Sequence, residues 1–144
     1  MGKINASRVL LGGLLAGLVI NISEWFWNGV VFMDEYNKAM AAINKPTVMS
    51  NATMAIYLGW GFLVGILAVW MYAAVRPRFG AGAKTAVRAG LMMWLLVYVQ
   101  VTISFGPMGL FPAWLMWLGL PISLVEIVVA TWLGAWLYKE EPAK

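Results

Sequence analysis

Four long apolar stretches occupy most of this 144-residue chain, at residues 8–32, 53–75, 89–105 and 113–138. Each is close to the roughly 20 residues that a helix needs to cross a bilayer. Only 11% of the residues are charged, whereas a soluble domain carries roughly 25%. Because backbone groups in lipid must be satisfied within the fold, the sequence predicts an all-α protein. We expect a single integral membrane domain over residues 1–144, an antiparallel four-helix transmembrane bundle of up-down-up-down order.

The connecting segments contain the expected helix breakers. Residues 34–43 can form a short surface helix, which Pro46 would end because the residue before a proline is pushed out of the helical region. Pro77, Gly80 and Gly82 are expected to break the helix between the second and third stretches. Pro121 is expected to kink the fourth helix. Residues 106–112 form a tight, uncharged loop.

The basic residues predict the orientation of the bundle. Two of them, Lys38 and Lys45, fall on one side of the predicted membrane. The other eight fall on the opposite side: Lys3, Arg8, Arg76, Arg78, Lys84, Arg88, Lys139 and Lys144. Positively charged residues favour the cytoplasmic side, so both termini are predicted to be cytoplasmic and residues 34–46 to lie outside. The lipid bilayer explains the net charge of +4 without a nucleic-acid partner.

The composition also limits the chemistry. The chain contains no Cys and no His, which excludes thiolate and imidazole ligands and the nucleophile pairs built on them. No catalytic constellation is present in the sequence. We therefore predict a non-enzymatic protein with no metal and no cofactor.

The first stretch carries a continuous stripe of small and polar residues. Gly13, Gly17, Asn21, Glu24 and Asn28 are spaced by four, four, three and four positions, so they share one helix face. Gly13 and Gly17 permit close helix approach. A carboxylate in hydrocarbon costs on the order of 3 kcal/mol or more, which makes Glu24 the leading candidate for function.

Similar residues follow one face of the other stretches. They are Gly61 and Gly65 in the second, Gln100 and Ser104 in the third, and Ser123, Glu126 and Gly134 in the fourth. Because no Lys or Arg lies at that depth, the low dielectric favours the protonated form of both carboxyls. We predict that Glu24 faces the interior with Asn21 and Asn28 and bonds to Gln100 or Ser104. An interfacial aromatic belt explains Trp25, and the alternative is that Trp25 or Trp114 covers the mouth of this site.

Two functional hypotheses follow from this pattern. The first is a module that acts by helix packing, as an accessory or structural subunit or a homo-oligomer, and it rests on the small-residue stripes. The second is a proton-linked carrier or a binder of a small amphipathic or cationic ligand, and it rests on Glu24 with its polar neighbours. A water-accessible pocket that reaches Glu24 would favour the second hypothesis, whereas a dry interface would favour the first.

Four short segments of the sequence are similar to those of a known group of proteins. These are residues 8–17 (RVLLGGLLAG), the aromatic-Asn-Gly exit of the first stretch, residues 76–80 (RPRFG) and residues 135–138 (AWLY). In these the chain resembles a group of small uncharacterised bacterial four-span membrane proteins with no assigned activity. The resemblance implies a location in the bacterial inner membrane.

Overall fold

The computed structural model describes residues 3–140, which form helices and short connections with no β-strand among them. Four helices are long and apolar enough to cross a membrane, which confirms the predicted all-helical class and supports an integral membrane protein. We call them the first to fourth spans. They cover Ala6–Val31, Asn51–Phe79, Ala83–Met108 and Ala113–Trp136.

Helix caps and one glycine set the ends of the first two spans. Asn5 accepts a hydrogen bond from the Arg8 amide at 3.1 Å and Ser50 accepts one from the Thr53 amide at 3.1 Å, as N-cap side chains do. The second span ends at Gly80, whose φ of 83° favours glycine. The expectation that Pro77 breaks the helix is wrong. Pro77 lies in the last turn, two residues before the helix ends at Phe79, so little helix follows the distortion that its ring causes.

A short helix, Met33–Ala42, follows the first span, where the sequence predicts a surface helix. Asp34 and Glu35 lie in its first turn, where negative charge complements the helix dipole. Glu35 pairs with Lys38 at 2.8 Å on the exposed side. Ala39 is the buried residue of this helix, which identifies the face that turns toward the bundle.

The spans form a ring in chain order. Each span contacts the next along the chain, the first also contacts the fourth, and the second reaches the fourth across the middle. The first and third spans therefore lie diagonally opposite each other. The buried apolar core is built mainly from small and branched residues, with Ile127, Val64 and Val69 among the largest side chains that are fully enclosed.

Glycines bring the first, second and fourth spans close together. A Cβ atom on Gly65 would overlap the backbone of Gly13 and Gly17, and one on Gly134 would overlap Val69 and the Gly12 carbonyl. All six residues assigned to helix packing from the sequence are buried within this single chain: Gly13, Gly17, Gly61, Gly65, Ser123 and Gly134. Their surfaces are therefore already used by contacts inside the chain.

Two π-helical turns interrupt the α-helical geometry of the spans. One covers Trp27–Val31 in the first span, and the other covers Leu95–Val99 in the third. Such a turn inserts one extra residue, and each residue of an α-helix spans about 100°. Side chains beyond the turn therefore point in directions that a uniform helical wheel does not predict. The fourth span, by contrast, continues through Pro121 as one α-helix.

Two tyrosines organise the end of the bundle where the first span begins and the fourth span ends. Tyr138 accepts a hydrogen bond from the Asn5 amide at 3.3 Å, and Tyr72 accepts one from the Gly82 amide at 3.2 Å. Their rings meet edge to face at 5.9 Å. Arg76 lies over the Tyr138 ring, and its guanidinium is 3.7 Å from a Glu140 oxygen.

We call this end the basic end, because it carries Lys3, Arg8, Arg76, Arg78, Lys84, Arg88 and Lys139. Lys144, which the sequence assigns to the same side, lies outside the described residues. That this end faces the cytoplasm stays a prediction.

Candidate functional site

A cavity of about 260 Å³ lies at the end of the bundle opposite the basic end. It is lined by residues of the first, third and fourth spans, of the Met33–Ala42 helix and of the loop that enters the fourth span. We call it the membrane cavity. Its polar or aromatic lining residues are Glu24, Trp27, Asn28, Phe32, Tyr36, Tyr98, Thr102, Phe111, Ser123 and Glu126.

Glu24 forms one wall of the membrane cavity. It belongs to the last turns of the α-helical part of the first span, and Asn28 lies one turn further on. The Asn28 amide nitrogen donates a hydrogen bond to Oε2 of Glu24. The i, i+4 spacing that the sequence shows therefore forms a real pair, and this pair faces the cavity.

Glu126 lines the cavity from the fourth span, which packs against the first. Its side chain is 7% exposed, and the Tyr98 hydroxyl donates a hydrogen bond to its Oε1 at 2.7 Å. Ser23 of the first span also lies close to this carboxyl. Three spans thus converge on Glu126, because Tyr98 comes from the third span and Ser23 from the first.

The two carboxyls share one electrostatic environment. Both lie near Tyr98, and Glu24 lies near Glu126. Within residues 3–140, the ion pairs of acidic side chains are Lys38 with Glu35 and Arg76 with Glu140. Neither cavity carboxyl is paired, and the cavity lining contains no Lys or Arg.

Tyr36 lies above the carboxyls, outside the membrane-spanning segments. Burial raises the pKa of its hydroxyl above the ordinary value, and the nearby charge of Glu24 raises this pKa further. The hydroxyl is therefore a hydrogen-bond donor throughout the physiological pH range. Its ring contacts Phe111 edge to face at 5.5 Å, so the Met33–Ala42 helix and the loop together roof the cavity.

Aromatic residues that pack against one another form the rim beside this roof. Trp27 and Phe32 are stacked at 5.8 Å, and Phe32 meets Trp114 edge to face at 6.3 Å. Because these rings contact each other, they form a fixed apolar border. They do not form an open aromatic cage around the carboxyls.

Trp94 fixes the fourth span at the level of the cavity. Its indole nitrogen donates to the Leu120 carbonyl at 3.0 Å and lies 3.2 Å from the Ser123 hydroxyl. The Ser123 hydroxyl in turn donates to the Leu120 carbonyl at 3.0 Å. The carbonyl that Pro121 leaves without a backbone donor is that of Trp117, four residues earlier, so these bonds join the third span to the fourth and do not replace that donor.

The prediction that Gln100 or Ser104 bonds to Glu24 is wrong. Both residues are exposed on the outside of the third span and pair with each other at 3.1 Å. The physical reason is the π-helical turn Leu95–Val99, which rotates the residues that follow it. Tyr98 and Thr102 face the cavity in their place.

Asn21 and Trp25 also depart from the predicted site. The Asn21 amide donates to the Gly17 carbonyl at 2.9 Å and to the Leu58 carbonyl at 3.2 Å, so it joins the first span to the second. Trp25 is 67% exposed and is not among the cavity residues. Neighbouring residues of a helix point about 100° apart, and Trp25 therefore faces outward when Glu24 faces the cavity.

Sequence reasoning missed Tyr98, Tyr36 and Ser23 as neighbours of the carboxyls. Tyr98 lies off the stripe of small and polar residues when a uniform helical period is used. The only signal for Tyr98 in the sequence was its hydroxyl group, because a hydroxyl in an apolar span needs a hydrogen-bond partner. Tyr36 could not be found, since its position depends on how the Met33–Ala42 helix folds back over the bundle.

Comparison of the chain with protein-family models, curated proteins and solved structures gives no match. The function is therefore inferred from the site itself.

Proposed function

We propose that the protein binds a small amphipathic organic cation in the membrane cavity and exchanges it for protons at Glu24 and Glu126. The observation that carries this proposal is the cavity itself, which reaches two unpaired carboxyls and has no basic residue in its lining. A pocket lined mostly by apolar groups with a few convergent polar ones is typical of small-molecule sites.

The packing of the glycines supports this choice over a module that acts only by helix packing. The small-residue stripes that motivated a packing role are used between spans of the same chain. If the carboxyls only formed hydrogen bonds between helices, direct contact of their side chains with polar groups of the facing span would be enough. Such bonds contribute only about 0.6–2 kcal/mol each in membranes. They do not require a cavity beside both carboxyls.

Proton exchange follows from charge balance in a low dielectric. An isolated charge is costly in such a place, so a cation and an ionised carboxyl stabilise each other when both are present. Cation binding should therefore release protons from the carboxyl pair, and low pH should weaken binding by linkage. The ionisable groups that line the cavity are Glu24, Glu126, Tyr36 and Tyr98.

Isothermal titration of the detergent-purified protein with phenethylammonium chloride tests the proposal. We expect saturable binding, with proton release revealed by a dependence of the heat on the ionisation enthalpy of the buffer. Glu24→Gln and Glu126→Gln should each weaken binding about ten-fold or more. Glu35→Gln is the matched control, because Glu35 pairs with Lys38 outside the cavity. No saturable heat, or equal affinity in all four proteins, would contradict the proposal.

A second candidate function has its own observation. The Gln100–Ser104 pair is exposed on the outer surface of the third span. Glutamine in such a place can bond to another membrane helix. We therefore propose, as the second candidate, that the protein is an accessory or structural subunit or a homo-oligomer that associates through this face. Native mass spectrometry should show loss of association in Gln100→Leu, and a monomer without partner in the unmodified protein would count against this candidate.

A further inference from the structure

The membrane cavity offers more hydrogen-bond acceptors than the protein itself uses. Asn28 donates a hydrogen bond to Glu24, and Tyr98 donates one to Glu126, which also has the Ser23 hydroxyl close to it. An ionised carboxylate accepts about four hydrogen bonds. When both carboxyls are ionised, several acceptor sites are therefore left for a ligand or for water.

The acceptors come from two spans. Glu24 belongs to the first span and Glu126 to the fourth, and these spans pack against each other. An ammonium group carries three N–H donors that can point toward both carboxylates and toward water at once. A quaternary ammonium has no N–H and would leave the acceptors of both carboxylates unmatched, which is costly for buried charged groups.

The aromatic residues do not compensate a quaternary ammonium for these missing bonds. Recognition of such groups relies on ring faces that surround the cation. Here Trp27 stacks on Phe32, and Tyr36 meets Phe111 edge to face, so the rings are engaged with each other. Their role is to provide apolar surface for the remainder of the ligand.

From these observations we infer that the cavity selects a free primary amine with a short apolar group over a quaternary ammonium of similar size. This inference rests on the proposed function and narrows its organic cations to primary amines. The cavity volume of about 260 Å³ has room for a small organic cation. Phenethylammonium, a primary amine with a short apolar group, serves as the probe. A phosphatidylethanolamine headgroup carries the same ammonium, but its phosphate would lie beside two carboxyls with no cation to offset it.

Titrations of the unmodified protein in phosphatidylcholine nanodiscs test the inference with phenethylammonium and with its N,N,N-trimethyl analogue. We expect the primary amine to bind at least about ten-fold more tightly. Equal or tighter binding of the trimethyl analogue would overturn the inference and leave the proposed function standing. Failure of both cations to bind would instead overturn the proposed function.

A third arm distinguishes the source of the ammonium group. We expect the affinity for phenethylammonium to be unchanged when half of the phosphatidylcholine is replaced by phosphatidylethanolamine. A large loss of affinity would show that the lipid competes for the site, and it would overturn the assignment to a free amine. Because every arm uses the unmodified protein, no result depends on whether a variant folds.

Discussion

At the scale of the residue, the two cavity carboxyls accept hydrogen bonds from donors of different kinds. Glu24 accepts from an amide of its own span, and Glu126 accepts from a hydroxyl of the third span. The first pair is local and could be expected from the i, i+4 spacing of Glu24 and Asn28. The second pair depends on the packing of two helices, so the sequence spacing does not predict it.

Glu24→Gln should leave the fold intact, because a glutamine oxygen can accept the Asn28 hydrogen bond that Glu24 accepts now. We expect its free energy of unfolding to lie within about 1 kcal/mol of the unmodified protein. Glu24→Leu should lose about 1–3 kcal/mol, since Asn28 is then left without its partner beside an apolar lining. Thermal unfolding in mild detergent measures both. Equal stability of the Leu and Gln variants would show that the pair is not structural.

Tyr98→Phe should destabilise the protein by about 1–3 kcal/mol, because it removes the hydroxyl that satisfies the buried Glu126. Tyr57→Phe provides the matched control, since Tyr57 is 59% exposed on the second span. Its midpoint of thermal unfolding should stay unchanged. A similar midpoint for Tyr98→Phe would mean that Glu126 finds another donor.

At the scale of the element, the sequence predicts the faces of regular helices well and those of irregular helices poorly. Gly65 lies on the predicted face, as does Glu126, because the helix around each has the ordinary period. Gln100 does not, because it follows a π-helical turn. Such a turn has no clear mark in the sequence Leu95–Val99, which is made of residues common in any membrane helix. A helical wheel therefore fails beyond it.

Gly65→Ala should weaken the contact of the first and second spans, because its Cβ would overlap the backbone at Gly13 and Gly17. Backbone cannot move aside as a flexible side chain can, so we expect a loss of about 1–3 kcal/mol. Gly59→Ala is the control in the same helix, since a Cβ there meets nothing within 4 Å. It should be neutral or stabilise by up to about 1 kcal/mol through helix propensity. The reverse order of thermal stabilities would contradict this packing.

Deletion of Leu96 tests the π-helical turn directly. Leu96 is 63% exposed, and removing it should convert the turn into α-helix while Tyr98 keeps its direction. We expect a folded protein. Deletion of Val125, which is 65% exposed in the uninterrupted fourth span, is the control. It must rotate Ser123 or Glu126 away from its contacts by about 100°, and it should abolish the monodisperse peak in size-exclusion chromatography. Equal behaviour of the two deletions would argue against the turn.

At the scale of the whole molecule, the two ends of the bundle differ in character. The basic end is tied together by Tyr72, Tyr138 and Arg76, whereas the other end contains the cavity with its carboxyls. The sequence predicts this asymmetry through the distribution of Lys and Arg. The existence of the cavity does not follow from the sequence, because it depends on how far the diagonal first and third spans stand apart.

The basic end should face the cytoplasm of a bacterial inner membrane. The natural absence of Cys permits a clean test with Ala81→Cys at this end and Val48→Cys in the loop at the cavity end. In intact cells, a membrane-impermeant maleimide should label the Val48 variant and leave the Ala81 variant unlabelled until the cells are lysed. Labelling of the Ala81 variant in intact cells would reverse the predicted orientation.

The most direct test of the shared cavity is modification of its carboxyls by the small apolar reagent diisopropylcarbodiimide, mapped by mass spectrometry of the purified protein. We predict adducts at Glu24 and Glu126 that form at least about five-fold more slowly when phenethylammonium is present. Sodium chloride at the same ionic strength should give no protection. Adducts that form at the same rate with and without the amine, or no adducts at either residue, would contradict a cation site built on these two carboxyls.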